Sequence, residues 1–132
     1  MPVTWEFRNR LLIVSLEGEY DYHAPVRAIT EAMQHPSFLP GTMLLIDARL
    51  TTTRRSSDEF RERAIWMASL QEKGLASRCA LVIPLQTHQY GLARMAATHV
   101  EMHGMELQIF TDIEAASQWL LGQASATSAG LD

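Results

Sequence analysis

The chain has 132 residues, of which 47% are hydrophobic and 20% are charged. This length fits one domain, and the composition excludes an intrinsically disordered or fibrous protein. The formal net charge of -4 provides no overall positive field, which disfavours a role in binding nucleic acid.

Two further features favour a cytoplasmic location. Cys79 is the only cysteine, so the chain can form no intramolecular disulfide. The stretch from Met1 to Glu6 lacks the basic and apolar regions of a secretory signal, and the longest apolar run, residues 79–83, is too short to span a bilayer. We therefore expect a cytoplasmic protein without a membrane span.

The first predicted element is a β-hairpin. Every second residue from Val3 to Phe7 is apolar, which is typical of a half-exposed strand. A largely apolar stretch at 11–16 follows, and Asn9 suits a tight reversal between the two strands. We expect Gly18 to end the second strand.

The period of the apolar residues then marks one helix and three more strands. Helix one begins near Pro25, where proline suits the first helical turn, and it must end before Pro36. Unbroken apolar runs that end at Asp47 and Pro84 predict strands buried on both faces. Residues 107–110 predict the last strand.

The remaining helices are indicated by capping patterns and by apolar residues at helical spacing. Helix two should begin with a capping box of Ser56 and Glu59 and stop at Gly74. Helix three should span residues 89–103. Helix four should begin with a capping box of Thr111 and Glu114 and end near Gly122. Residues 123–132 are small and polar and predict a flexible tail after a domain of residues 1–122.

The order ββαβαβαβα predicts a single α/β domain. Its sheet should be mixed but mostly parallel, with five strands, an N-terminal β-hairpin and four helices. The two most apolar strands, which close at Ile46 and Ile83, should be neighbours in that sheet.

The segment around the third strand resembles the STAS domain of anti-sigma-factor antagonists. Residues 44–47 end in an aspartate, and Ser56 and Ser57 follow at the start of helix two. In antagonists of that family, an aspartate at this place precedes a serine pair, one member of which is phosphorylated by a partner kinase. The resemblance implies phosphorylation at Ser57, although Asp58 and Glu59 stand where the family motif has a glycine and an apolar residue.

The chain is also similar, over nearly its whole length, to the SpoIIAA-like branch of this superfamily, which comprises small bacterial proteins. The segments that carry the similarity are residues 17–22, 80–82 and 110–120. The branch is related in fold to lipid-carrying CRAL-TRIO domains. The resemblance implies a STAS/SpoIIAA-like architecture and two functions, a regulatory protein-interaction module or a carrier of a small apolar or acyl-bearing ligand.

The start of helix two is the most suggestive local site. Its candidate residues are Arg49, Arg54, Arg55, Ser56 and Ser57. Free N–H groups and the positive end of the helix dipole favour an anion, and guanidinium groups add paired donors. A capping role for Ser56 and solvation of the arginines explain the same residues without a ligand, and we prefer that explanation.

Other polar residues have weaker claims. His88, His99 and His103 share a side of helix three at a spacing that can hold zinc, but we prefer a structural role and predict no metal and no cofactor. Whether these histidines meet in space is left open. Asp47 ends a central strand, where α/β proteins place ligands, but the sequence shows no partner for it.

Asp21 and His23, with Tyr20 and Tyr22, have the composition of an acid–base cluster. Capping of helix one by Asp21, with packing of the tyrosines, is the simpler explanation.

Cys79 should behave as a buried apolar residue. Six methionines can either fill the core or line an adaptable pocket, namely Met33, Met43, Met67, Met95, Met102 and Met105.

We assign no catalytic residue and expect a non-enzymatic protein. The favoured function is contact with a protein partner through residues 49–58. The alternative is a pocket for a small apolar or acyl-bearing ligand between helices two and three and the sheet, and an enzyme is a distant third. A small anionic ligand would instead bind at the start of helix two. A homodimer through the N-terminal hairpin is a further hypothesis, because that hairpin lies at a sheet edge.

Overall fold

The computed structural model describes residues 2–52, 54–84 and 89–129, with side chains for all of these except Gln89, His99 and residues 123–129. The strands are β1 Val3–Arg8, β2 Leu11–Gly18, β3 Met43–Thr51, β4 Arg78–Val82 and β5 Glu106–Phe110. The helices are α1 Ala24–Met33, α2 Ser57–Ser69, α3 Gln89–Glu101 and α4 Ile113–Ala129, with a short 3₁₀ helix at Leu70–Lys73. The predicted α/β class and element order are confirmed.

The N-terminal hairpin forms as predicted. β1 pairs antiparallel with β2, and Phe7 lies opposite Leu12. Asn9 adopts a φ of 58°, a left-handed conformation that asparagine tolerates better than most residues. Gly18, at a φ of 64°, ends β2. The reversal therefore fixes which side chains of β2 face each side of the sheet.

The strands lie in the order β1-β2-β3-β4-β5, and β2 to β5 are parallel. Ile46 of β3 is in register with Val14 of β2 and Leu81 of β4. The two most apolar strands are therefore neighbours at the centre of the sheet, as predicted. Their side chains are buried on both faces.

Sequential strand order decides where the helices lie. Each crossover from β2 to β5 advances in the same direction, so right-handed connections place α1, α2 and α3 on one face. On that face Leu44 and Ile46 pack with buried residues of these helices. On the opposite face Met43 and Leu45 pack with Leu120 of α4.

The start of α1 corrects one capping prediction. His23 is the N-cap residue, and its side chain makes no capping hydrogen bond. The Asp21 carboxylate accepts the N–H of His23 at 3.1 Å and a guanidinium N–H of Arg27 at 3.3 Å. The prediction that Asp21 caps α1 was wrong, because the helix begins too late for Asp21 to reach its first free N–H groups.

The last helix corrects two further predictions. The Asp112 carboxylate accepts the N–H of Ala115 at 2.9 Å, so Asp112 caps α4 and the expected Thr111–Glu114 capping box was wrong. The helix also continues past Gly122, where its end was predicted, to Ala129. Residues 123–129 contain alanines and no proline, so one glycine does not stop the helix. Neither α4 nor any other described helix is long and apolar enough to cross a bilayer.

Candidate functional site

A pocket of about 320 Å³ lies between α2 and the central strands, and we call it the α2 pocket. Its floor is apolar and comes from the sheet face that carries α1 to α3. The floor residues are Val14, Leu16, Ile46, Ala48, Leu81, Ile83 and Leu107. These side chains share a face because alternate residues of a strand point the same way. Space on this scale is uncommon in a well-packed core, and an engineered cavity of about 150 Å³ already holds benzene.

The space exists because α2 stands away from the sheet. Among the described residues, no Cα atom of α2 lies within 8 Å of a strand Cα atom, whereas α1, α3 and α4 each approach a strand that closely. α2 packs against α3 and the 3₁₀ helix instead. Three alanines, Ala48, Ala64 and Ala96, line the gap and leave it unfilled.

The pocket reaches the surface near the carboxyl ends of the parallel strands. The exposed residues Thr52 and Arg54 line it together with Tyr20 and Tyr22, which follow β2. α/β proteins commonly bind ligands at this edge of the sheet. The pocket therefore joins an apolar interior to a polar opening.

On the polar side of the pocket, two arginines contact two tyrosines. The Arg55 guanidinium lies 4.8 Å from the Tyr20 ring centre and 5.1 Å from that of Tyr22. It also donates to the Tyr20 carbonyl at 3.0 Å and lies 3.7 Å from the Glu59 carboxylate. Arg63 lies 4.6 Å from the Tyr22 ring centre and donates to the Tyr22 carbonyl. These contacts tie α2 to the segment that precedes α1.

Charge in the α2 pocket runs against that of the whole chain. Among the described residues that line it, three arginines face one glutamate, which gives a formal charge of +2. Burial lowers the pKa of Arg63 below its ordinary value, because a guanidinium loses hydration there. Burial and a hydrogen bond to Glu62 raise the pKa of Tyr22. The opening is therefore suited to an anionic group.

The predicted anion-binding residues differ in their surroundings. Arg54 and Arg55 line the α2 pocket, whereas Arg49 is not among its lining residues. The Arg49 guanidinium donates two hydrogen bonds to Asp47, each at 2.9 Å. Arg49 is therefore the partner of Asp47 that the sequence did not reveal. A shared anion-binding surface of Arg49, Arg54, Arg55, Ser56 and Ser57 stays a prediction. Asp47 lies two positions after Leu45, which packs on the α4 face of the sheet, and its carboxylate holds the Arg49 guanidinium.

Of the two serines at the start of α2, Ser56 caps the helix. The Ser56 hydroxyl accepts the N–H of Glu59 at 3.2 Å, and the Glu59 carboxylate accepts the N–H of Ser56 at 2.8 Å. The predicted capping box is confirmed. Ser57 is half-buried in the first helical turn. Its phosphorylation stays a prediction.

His103 and Cys79 do not line the α2 pocket in the described part of the chain. His88 and the side chain of His99 lie outside the described residues, so the predicted approach of these histidines to His103 stays open. Within the described part of the chain, no cluster of three or more metal-ligating residues occurs. Cys79 is fully buried, and burial raises the pKa of its thiol to about 12. It is a core residue, as predicted.

The methionines do not form a pocket lining as a group. Met67 alone among the six lines the α2 pocket in the described structure. Met43 and Met105 are buried in the core, while Met95 and Met102 are exposed. The core-filling interpretation therefore holds for part of the set.

Sequence reasoning missed Arg63 and the spacing that makes it important. Phe60, Arg63, Ala64 and Met67 recur at intervals of three and four, so they share the face of α2 that lines the pocket. A charged residue inside an otherwise apolar helical stripe was the available signal.

Comparisons with known proteins add no functional assignment, since no family model, curated protein or solved structure matches the chain. The STAS and SpoIIAA-like resemblance stays a prediction.

Proposed function

We propose that the protein binds a small apolar molecule in the α2 pocket. The observation that carries this proposal is the open space between α2 and the sheet, with its floor of buried aliphatic side chains. A volume of about 320 Å³ falls at the lower end of the range of roughly 300 to 1,000 Å³ found for ligand sites. The ligand is therefore small.

The chemistry of the lining supports binding over catalysis. Burial of an aliphatic or aromatic ligand against Ile46, Leu81 and Ile83 removes apolar surface from water on both sides. The polar groups lie together at one end, near Tyr20 and Tyr22, as they do in sites that orient a ligand. The Tyr22 hydroxyl donates to the Glu62 carboxylate, and Arg55 donates to the Tyr20 carbonyl. These hydrogen bonds stabilise the conformation of the pocket opening.

The proposal is tested first by native mass spectrometry of protein purified without detergent or organic solvent. A bound small molecule, released on denaturation, is the expected result. Titration with octan-1-ol, followed by amide chemical shifts, then locates binding. We expect shifts at Ala48, Ala64 and Ala96, which line the pocket.

A matched pair of variants sharpens the test. Ala64→Trp fills the pocket and should abolish octan-1-ol binding, and the free space should let the indole fit with little loss of stability. Ile65→Trp changes the next residue of α2, which is exposed and lines no part of the pocket, and should bind normally. Octan-1-ol binding that survives Ala64→Trp would exclude the pocket as the site.

A second candidate function is a regulatory contact with another protein, of the STAS type. One observation favours it: Leu50, at the end of β3, exposes 66% of its surface beside the segment that leads to α2. Large exposed apolar residues are common in contact surfaces, although single ones also occur on ordinary surfaces. A module of this kind should be purified without a ligand and should retain a protein in a pull-down that Leu50→Asp abolishes.

A further inference from the structure

We infer that the molecule held in the α2 pocket is an amphiphile whose single carboxylate binds the guanidinium of Arg63. This inference rests on the proposed function and names the ligand class. It is carried by the position of Arg63, by the bonds that its guanidinium makes, and by the acceptor that it lacks.

Arg63 is placed to meet a ligand that enters the pocket. It lies on the pocket face of α2, one turn after Phe60 and one turn before Met67. It is half-buried, and the Tyr22 ring lies 4.6 Å from its guanidinium carbon. A ligand whose chain lies on the sheet floor would bring its polar end to this group.

The guanidinium keeps most of its donor capacity. Of its five N–H donors, one bonds to the Tyr22 carbonyl, and no other acceptor among the described residues lies within hydrogen-bonding distance. No described carboxylate lies within 4.0 Å of it. By contrast, Arg61 on the same helix lies 2.7 Å from Asp58.

A half-buried cation without a carboxylate is costly, because it has lost water and gained no opposite charge. The lowered pKa of Arg63 has this same cause. A ligand carboxylate would supply the missing charge and accept two parallel N–H bonds from the guanidinium. Arg55 already forms an ion pair with Glu59 and donates a hydrogen bond to the Tyr20 carbonyl. The pocket therefore favours a ligand with one anionic group.

Calorimetric titration of the full chain with three probes tests the inference. Octanoate and octan-1-ol share an eight-carbon chain and differ in charge, while octyl phosphate offers the other common anion. We expect octanoate to bind the unaltered protein more tightly than either of the other two probes. Arg63→Met should weaken octanoate about tenfold to a hundredfold, as expected for loss of a charged hydrogen-bonding partner, and should weaken octan-1-ol much less.

Two further variants make the result specific. Arg61→Met removes an exposed arginine two positions away on the same helix and should leave octanoate binding unaffected. Arg63→Lys keeps the charge without the paired donors and should give an intermediate affinity, so it also serves if Arg63→Met does not fold.

The outcomes separate the inference from the proposed function. Equal binding of octanoate and octan-1-ol, or an equal loss of both in the Arg63 variants, would overturn the carboxylate assignment and leave the pocket intact. Tighter binding of octyl phosphate than of octanoate would overturn it in favour of a phosphate ligand. Failure of all three probes to bind would overturn the proposed function and this inference together.

Discussion

The Arg63 guanidinium stacks on the Tyr22 ring and donates a hydrogen bond to the main-chain carbonyl of the same residue. A single side chain of α2 thus holds both the ring and the backbone of the segment before α1. The Tyr22 hydroxyl adds a hydrogen bond to Glu62 at 3.0 Å. These contacts join two elements that are distant in sequence and that border the α2 pocket.

Tyr22→Leu should therefore destabilise the fold more than Tyr22→Phe. Loss of the ring removes two cation–π contacts, with Arg55 and Arg63, of about 0.5 to 2 kcal/mol each, whereas loss of the hydroxyl removes one exposed hydrogen bond. Urea unfolding at neutral pH measures both. Equal destabilisation by the two variants would mean that the hydroxyl, and not the ring, carries the contact.

The two adjacent serines at the start of α2 should behave differently. Ser56→Ala removes the hydroxyl of the capping box and should lower the free energy of unfolding by about 1 kcal/mol. Ser57→Ala leaves the capping box intact and should change stability little. Thermal unfolding of the pair checks this, and a larger loss from Ser57→Ala would contradict the assigned cap.

The Asp47–Arg49 pair predicts a stability change in acid. Burial disfavours the Asp47 carboxylate, but hydrogen bonds from Arg49 outweigh it and hold the pKa of Asp47 below its ordinary value. A lowered pKa in the folded state stabilises the protein above the unfolded-state pKa of about 4, and this contribution is lost as the pH falls through the folded-state value.

Asp47→Asn should therefore lower stability at pH 7 by about 1 kcal/mol, a figure reduced because Arg49 is more than a third exposed. The deficit should shrink as the pH falls below the unfolded-state pKa of about 4. Urea unfolding of both proteins between pH 2 and pH 7 measures it. Parallel pH profiles for Asp47→Asn and the unaltered protein would show that the pair contributes nothing through ionisation.

Cys79 should resist alkylation while the protein is folded. Its side chain is fully buried, and a thiol whose pKa is about 12 holds almost no thiolate at pH 8. Labelling with iodoacetamide should be slow in buffer and fast in urea. Rapid labelling of the folded protein would place the thiol at an accessible surface.

Much of the fold was predictable because its signals are local. The apolar runs that close at Ile46 and Ile83 required two covered faces, and the capping box of Ser56 and Glu59 needed only its spacing. The Asp112 cap was missed because Thr111 has an equally suitable side chain one residue earlier. Which of two adjacent residues becomes the N-cap depends on the residue at which the preceding strand ends.

The candidate site was less predictable because it depends on distances between elements. The apolar spacing within α2 does not reveal its distance from the sheet, because that distance depends on how α2 packs against α3 and the 3₁₀ helix. The small side chains of Ala48, Ala64 and Ala96, on three different elements, then leave the gap unfilled. The contact of Arg63 with Tyr22 crosses 41 positions of sequence. The pairing of Arg49 with Asp47, by contrast, joins residues only two positions apart and could have been considered from the sequence.

The sequential arrangement of the five strands bears on how the chain folds. Every strand pairs with its nearest neighbours along the chain, so each pairing closes a short loop and no segment must wait for a remote one. Folding rates fall as the average separation of contacting residues rises. Growth of the sheet outward from the hairpin, one crossover at a time, would let this domain form during synthesis in the order in which its residues emerge.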